Sequence, residues 1–391
     1  MRVLAIALII PALVFCQIPP SEKLDVSDER PFHEEIRRLE KLLDTAGDRC
    51  TVLYGLARTW AAGHQYREAM DTLEKVVALK VGLDPSNDEI FAKLRGTREF
   101  TAVLEQIEKD TPPIVTSRPA FTVNEPDLAP EGIAYDAKHK LFFLGSTTKH
   151  KIVACTPVGA CRTFATESLG SVLGVRVDPL DGTLWATSNA DNEAALVHHR
   201  VPSGKLVRRY SLSGKHLFND LAIDRSGNLF VTDTRASTVY WIPRKTGQLE
   251  ILSPTLKVEA ANGIAASEDK LYVSSFPAGI TVVDIATRSS HPIGHPANLC
   301  LATIDGLYTF RGNLYAIQNG IMVHRIIRLH LSQDGNAIDR IDILDRRNPL
   351  FNGGPTTAAI AEGALYYAAN PQLNKSPSKP EPIKILKITL P

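Results

Sequence analysis

From residue 131 onward, apolar and polar positions alternate in short runs, and the runs come in pairs joined by tight turns. Asn219-Asp220-Leu221-Ala222-Ile223-Asp224, the turn residues Ser226-Gly227-Asn228, and Leu229-Phe230-Val231-Thr232-Asp233 read as strand, turn, strand. The same unit recurs. Glu131–Asp136 precedes Leu141–Gly145, Leu173–Asp178 precedes Leu184–Thr187, and Asn262–Ser267 precedes Leu271–Ser274. Asp305–Phe310 precedes Leu314–Ile317, and Thr356–Ala361 precedes Leu365–Ala368. The leading positions are spaced by 42, 46, 43, 43 and 51 residues. A period of about 40 to 50 residues built from short strands is the signature of a propeller with one four-stranded blade per repeat. The pattern therefore predicts a mainly β chain with a six-bladed β-propeller; a stacked sandwich would not need so regular a period. Blade six offers three strands of its own, Thr357–Ala361, Leu365–Ala369 and Ile383–Leu390. The fourth is expected from Ala120–Val123, so that the two ends of the domain close the ring and leave no open sheet edge.

Upstream, between Phe32 and about Lys109, the period becomes helical. Ile36, Leu39, Leu42 and Leu43 mark one apolar face; Leu53, Leu56, Ala57 and Trp60 a second; Ala69, Leu73, Val76 and Val77 a third. Ile90–Leu94 and Phe100–Ile107 supply two shorter helices, and Gly63 stands where a left-handed cap is wanted. Thr111–Pro119 begins with a proline pair after the threonine and reads as a stiff linker. The expected organisation is a signal peptide over 1–16, a flexible lead over 17–30, a small all-α domain over 31–110, the linker over 111–119 and the propeller over 120–391.

The signal peptide rests on Arg2 followed by the apolar run Val3–Val14, which is too short to span a bilayer. Val14 and Cys16 suit the −3 and −1 positions of a cleavage site. The mature chain is expected to begin at Gln17 and to be exported, to a periplasm or outside the cell. The rival is a lipoprotein acylated at Cys16, against which Phe15 speaks. Export places the remaining cysteines in an oxidising compartment. Cys155 and Cys161 flank a short hairpin-like turn that a bridge could close, while Cys50 and Cys300 read as buried thiols. The formal charge of +1 gives no case for nucleic acid or an anionic membrane surface, and no other segment is long and apolar enough to span a membrane.

The first strand of each blade borders the axial channel, so the leading residues form a ring: Glu131, Leu173, Asn219, Asn262, Asp305 and Thr356. Two carboxylates and two amides are a poor set for zinc or copper. They suit Ca²⁺, which accepts mixed oxygen ligands, and another divalent metal remains open. Taken singly, Asn262-Gly, Asp305-Gly or Asn219-Asp is an ordinary turn; four in register, one per blade, is a site.

The ordered set Glu131, Asn219, Asn262, Asp305, within Pro130-Glu131-Gly132, Phe218-Asn219-Asp220, Asn262-Gly263 and Asp305-Gly306, resembles the senescence marker protein/gluconolactonase family, which includes regucalcin. It is more distantly similar to diisopropyl fluorophosphatase and the paraoxonases. The resemblance covers residues 120–391. It implies that the four residues hold calcium, that Asp305 is both ligand and base or nucleophile, and that Asn219 touches metal and substrate. Asp220 would stand behind them. Two departures matter. Sugar-lactonase members carry an arginine at the place of Leu217. The paraoxonase branch uses histidines near the metal, which draws attention to His216, although a solvated loop histidine is the ordinary case. Helices two and three resemble a tetratricopeptide repeat, with Leu53, Leu56, Ala57, Trp60, Ala69, Leu73 and Val76 at its apolar spacing. The resemblance implies a calcium-dependent hydrolase of small-molecule lactones or esters. The alternative is a non-enzymatic propeller scaffold with a structural metal, whose helical domain binds a protein or simply caps the fold.

Overall fold

The computed structural model describes residues 29–43, 49–276, 278–373 and 380–391. The expected signal peptide, its cleavage site and Cys16 lie outside the described residues. The chain forms two compact units that divide between Asp110 and Thr111.

The first unit is helical. It comprises α1 (Glu29–Leu43), α2 (Arg49–Ala62), α3 (Tyr66–Ala78), a 3₁₀ turn (Glu89–Phe91) and α4 (Arg98–Asp110). The apolar faces meet as their spacing requires: Phe32, Ile36, Leu39 and Leu56 are buried together, with Phe32 edge-on to Trp60 at 5.6 Å. Asp88 caps the 3₁₀ turn through the Ile90 N–H (3.2 Å), accepts from the Tyr54 hydroxyl (3.0 Å) and pairs with Arg58. Two expectations are corrected. Gly63 is not the left-handed residue; His64 takes that conformation, with φ 59°. Gly63 is required instead because a Cβ there would lie 2.3 Å from the Phe32 ring. The segment from Ile90 to Leu94 is not a helix: a single 3₁₀ turn over Glu89–Phe91 runs into irregular turns, while the last helix is longer than expected at 13 residues.

The chain from Thr111 onward is mainly β and forms six antiparallel sheets. Blade one runs outward through Pro130–Asp136, Leu141–Ser146, Ile152–Cys155 and Cys161–Ala165; blade two through Val175–Val177, Leu184–Ala190, Glu193–His199 and Leu206–Ser213. Blade three holds Phe218–Ile223, Leu229–Asp233, Thr238–Ile242 and Glu250–Ile251; blade four Ala261–Ala266, Lys270–Ser275, Gly279–Asp284 and Ser290–Pro292. Blade five holds Ile304–Phe310, Asn313–Gln318, Arg325–Leu331 and Ile338–Arg346, with Ile114–Val115 added at its outer edge. Blade six runs Ala358–Ala361, Ala364–Ala368, Ile383–Thr389 and, outermost, Arg118–Val123.

The expected closure is observed: Arg118 pairs with Lys387 and Val123 with Ile383. Phe142 of blade one is buried between Phe121 (5.1 Å) and Tyr366 (4.8 Å) of blade six, sealing the seam with aromatic packing. The segment read as a linker is partly strand, at Ile114–Val115 and from Arg118. Its proline pair ends the helix, but the residues after it have an unpaired sheet edge within reach and take it: Ile114 pairs with Arg346 and Val115 with Asp345. Asp345 then receives the Thr116 N–H (2.8 Å) and the Ser117 hydroxyl (2.7 Å). Cys155 and Cys161 form a disulfide across Cα atoms 4.0 Å apart. Cys50 and Cys300 are buried as expected but are disulfide-bonded cysteines, not thiols.

Candidate metal centre

Four of the six inner strands carry a β-bulge at their start, and these are the four that hold the predicted oxygen donors. Pairing with the second strand slips between Pro130 and Ile133, Phe218 and Leu221, Ala261 and Ile264, and Ile304 and Leu307. The extra residue in each breaks the in–out alternation and re-aims a side chain. The two residues inside each slip are Glu131-Gly132, Asn219-Asp220, Asn262-Gly263 and Asp305-Gly306. Leu173 and Thr356 sit just before the shorter inner strands of blades two and six.

The ring is drawn tight by glycine. A Cβ on Gly132 would lie 2.0 Å from the Leu173 carbonyl oxygen. One on Gly174 would lie 2.4 Å from that of Asn219, and one on Gly263 2.3 Å from that of Asp305. Leu173, Asn219 and Asp305 thus rest their carbonyls against the glycine of the preceding blade. Blade three has Asp220, and blade six Thr357, where the other four have glycine. The Thr356 hydroxyl donates to the Glu131 carbonyl at 3.2 Å, and Ser274 donates to the Ile304 carbonyl at 2.9 Å.

Glu131, Asn219, Asn262 and Asp305 are buried to 5–8% exposure. Glu131 Oε2, Asn219 Oδ1 and Asn262 Oδ1 have no hydrogen-bond partner. The amide nitrogen of Asn219 is spent on Thr234 Oγ1 (3.1 Å). Asp305 receives the amides of Asn319 (2.6 Å) and Asn262. Orphaned buried oxygens each cost on the order of 1–3 kcal/mol, and here three stand in one ring beside a fourth residue that is a carboxylate. Burial pushes Glu131 well above the usual carboxylate range, and the negative charges of Asp305 and Asp220 push it further. Burial raises Asp305 to about 7, against the pull of its two amide donors. Among the described residues no group of three or more His, Cys, Asp or Glu could hold a metal; the donor set is all-oxygen, two carboxylates and two amides. Such a set fits a hard divalent cation, which would satisfy the orphaned oxygens and neutralise the two carboxylates.

Asp220 lies next to this ring. It receives Leu221 N–H (2.7 Å) and Arg176 Nη2 (3.1 Å) on Oδ1. Burial raises its pKa, opposed by Arg176 and by backbone N–H groups. His216 is placed differently from the ring: its Nδ1 lies 2.5 Å from Asp233 Oδ2. Asp233 also receives the N–H groups of Leu217 (3.1 Å) and Ala236 (3.0 Å). His216 therefore braces the loop entering the inner strand of blade three, and none of its hydrogen bonds joins it to the four donors.

Sequence reasoning missed Asn319, which joins Asp305 to the Pro355 carbonyl (3.1 Å). It also missed a second ring of polar residues at the ends of the second strands. Asn189 clamps Phe218 by donating to its carbonyl and accepting its N–H, both at 2.8 Å. Ser275 donates to the Glu259 carbonyl (2.7 Å) and Gln318 to that of Ala302 (2.7 Å). With Asp233, these tie down the turn that leads into a neighbouring or the same inner strand. The signal was there: each lies 13 to 16 residues after a leading residue of its own repeat.

No family model matches the chain, and no curated protein matches it. Solved structures do. The allergen Mala s 1 of Malassezia sympodialis is 15% identical over 70% of this chain and 96% of its own, with a TM-score of 0.55. A Thermus thermophilus protein assigned as an oxidoreductase (glucose dehydrogenase) is 16% identical over 69% and 99%, with a TM-score of 0.52. The PQQ-bound aldose sugar dehydrogenase of Streptomyces coelicolor is 14% identical over 71% and 99%, with a TM-score of 0.51. The chain is a six-bladed propeller. At these identities the likeness is one of fold, and the chemistry has to be argued from the ring itself.

Proposed function

We propose that this protein is a metal-dependent hydrolase of lactones or related esters, with calcium the first candidate for its cation. Glu131, Asn219, Asn262 and Asp305 would hold the cation. The observation that carries this reading is the set of three buried, unpartnered oxygens on Glu131, Asn219 and Asn262 beside the Asp305 carboxylate. When bound, the cation supplies charge neutralisation and polarisation of a carbonyl. In the chain's own part of the chemistry, Asp305 accepts the proton of the attacking water, oriented for it by Asn319. Asn219, anchored through Thr234, fixes the position of the reacting carbonyl. The Cys155–Cys161 bridge and the apolar run at Val3–Val14 support export. No helix among the described residues is long and apolar enough to cross a membrane.

The low exposure of the four donors favours a second reading, in which the cation is structural and the propeller is a scaffold whose helical unit, resembling a tetratricopeptide repeat, recruits a protein. Leu217, where sugar lactonases carry arginine, points the same way. The deciding experiment is calcium titration by calorimetry of the parent and a Glu131→Gln/Asp305→Asn variant, followed by a lactone and ester screen. One site in the parent, lost in the variant, with turnover abolished by Asp305→Asn, is the expected result. Failure to bind calcium, zinc or manganese refutes the metal centre. Binding without any turnover leaves the scaffold.

A further inference from the structure

We propose that Arg176 is a built-in cation that sets the charge of the metal centre and makes it select a divalent over a trivalent ion. The inference rests on reading the ring as a metal centre and goes one residue layer beyond it. Three carboxylates are buried around the axis: Glu131, Asp305 and Asp220, at 7%, 8% and 3% exposure. Asp220 directly follows Asn219 in the bulge of blade three, and its Oδ2 lies 3.4 Å from the Ile264 nitrogen, two residues after Asn262. The Asp220 carboxylate accepts hydrogen bonds from Arg176, the Leu221 N–H and, at 3.4 Å, the Ile264 N–H. The ion pair with Arg176 and these N–H groups oppose the burial that raises its pKa.

Arg176 supplies the opposing charge. It lies on the inner strand of blade two, two residues after Gly174, and reaches across to blade three. Its Nε donates to the Leu221 carbonyl (2.7 Å) and its Nη2 to Asp220. Its guanidinium lies 5.3 Å from the centre of the Tyr308 ring, whose hydroxyl receives the Ala358 N–H. Arg176 and Tyr308 also line a cavity of about 230 Å³ among the later residues of the six inner strands, with Ala222, Ala266 and Ala359. Among the described residues, no other Lys or Arg forms an ion pair with Glu131, Asp220 or Asp305. Three carboxylates and one guanidinium sum to two negative charges. A divalent ion brings this buried set to neutrality, whereas a trivalent ion leaves one positive charge uncompensated where water cannot screen it. Asp220 alone, without Arg176, would add a third negative charge and favour the trivalent ion.

The test is the ratio of calcium to terbium(III) dissociation constants, measured by calorimetry on the parent, Arg176→Met, Arg176→Lys and Asp220→Asn. At an interior effective dielectric near 20, losing one charge within about 10 Å shifts that ratio by roughly tenfold or more. Arg176→Met is expected to move it toward terbium, and Asp220→Asn toward calcium. Arg176→Lys, which keeps the charge but loses the fork, should stay within about twofold of the parent. A folded Arg176→Met with the parent's ratio overturns the inference. Should Arg176→Met not fold, an unchanged ratio in Asp220→Asn overturns it instead. A parent that binds neither ion refutes the metal centre itself, an outcome distinct from parental binding with an unaltered ratio.

Discussion

Replacing Gly263 by alanine is the sharpest test of how the ring is held. The added Cβ would lie 2.3 Å from the Asp305 carbonyl oxygen and 2.9 Å from the Leu307 nitrogen. Both are backbone atoms of adjoining inner strands, so no side-chain rotation relieves the clash. The blade must move by about an ångström or more to reach ordinary contact, and the residue it moves is Asp305. Overpacking of a tight interior costs about 1–3 kcal/mol, with the upper end expected where backbone meets backbone. Gly312→Ala is the control: it has φ +72° with nothing within 4 Å of its Cβ position, so it carries only the left-handed penalty of about 1–2 kcal/mol. Denaturant unfolding gives the stability difference and calorimetry the calcium affinity. Gly263→Ala should lower both, whereas Gly312→Ala should lower stability and leave affinity unchanged. Parental stability and affinity in Gly263→Ala would refute the view that glycine–carbonyl contacts set the ring's diameter.

Asn319→Ala should weaken calcium binding about tenfold, because Asp305 loses the donor that aligns it, while the calcium-free protein loses about 1–3 kcal/mol in denaturant unfolding. Without a cation, stability should fall as pH rises from about 4 to 7. Asp305 at about 7 in the fold and near 4 when unfolded binds its proton more tightly in the native state across that window. Saturating calcium should flatten the profile, and Asp305→Asn should reduce its slope; a cation-free melting temperature constant over this range contradicts the assignment. Asn189→Ala should cost about 1–3 kcal/mol through the orphaned Phe218 backbone and lower calcium affinity, measured by melting and calorimetry.

The blade period was legible because six copies of one strand–turn–strand unit keep the same alternation. The four oxygen-bearing leading positions were legible because they recur at one place in that unit. What escaped notice lies in contacts between copies. Asn319 and Asn189 act on residues 14 and 29 positions away, and no local pattern announces that reach. The bulges depend on how two strands slip past each other, which alternation alone does not encode. Thr111–Pro119 reads as linker because prolines dominate its composition, yet Ile114 and Val115 find an open edge on blade five only after the ring exists. Gly63 offered the same lesson on a smaller scale: it is small for the sake of the Phe32 ring, while His64 bears the left-handed turn.

The seam in blade six has a consequence for how the protein is made. Arg118 cannot find its partner Lys387 until the five intervening blades and the first strands of blade six have been synthesised. During translation the strand Arg118–Val123 waits with its hydrogen-bonding groups unpaired, beside a half-built blade one whose Phe142 is still exposed to solvent. A ribosome stalled, or a chain cut, anywhere before Ile383 therefore yields an open arc whose free ends can pair with another arc. Ile383–Thr389 is the clasp, so closure of the ring reduces to whether that strand arrives.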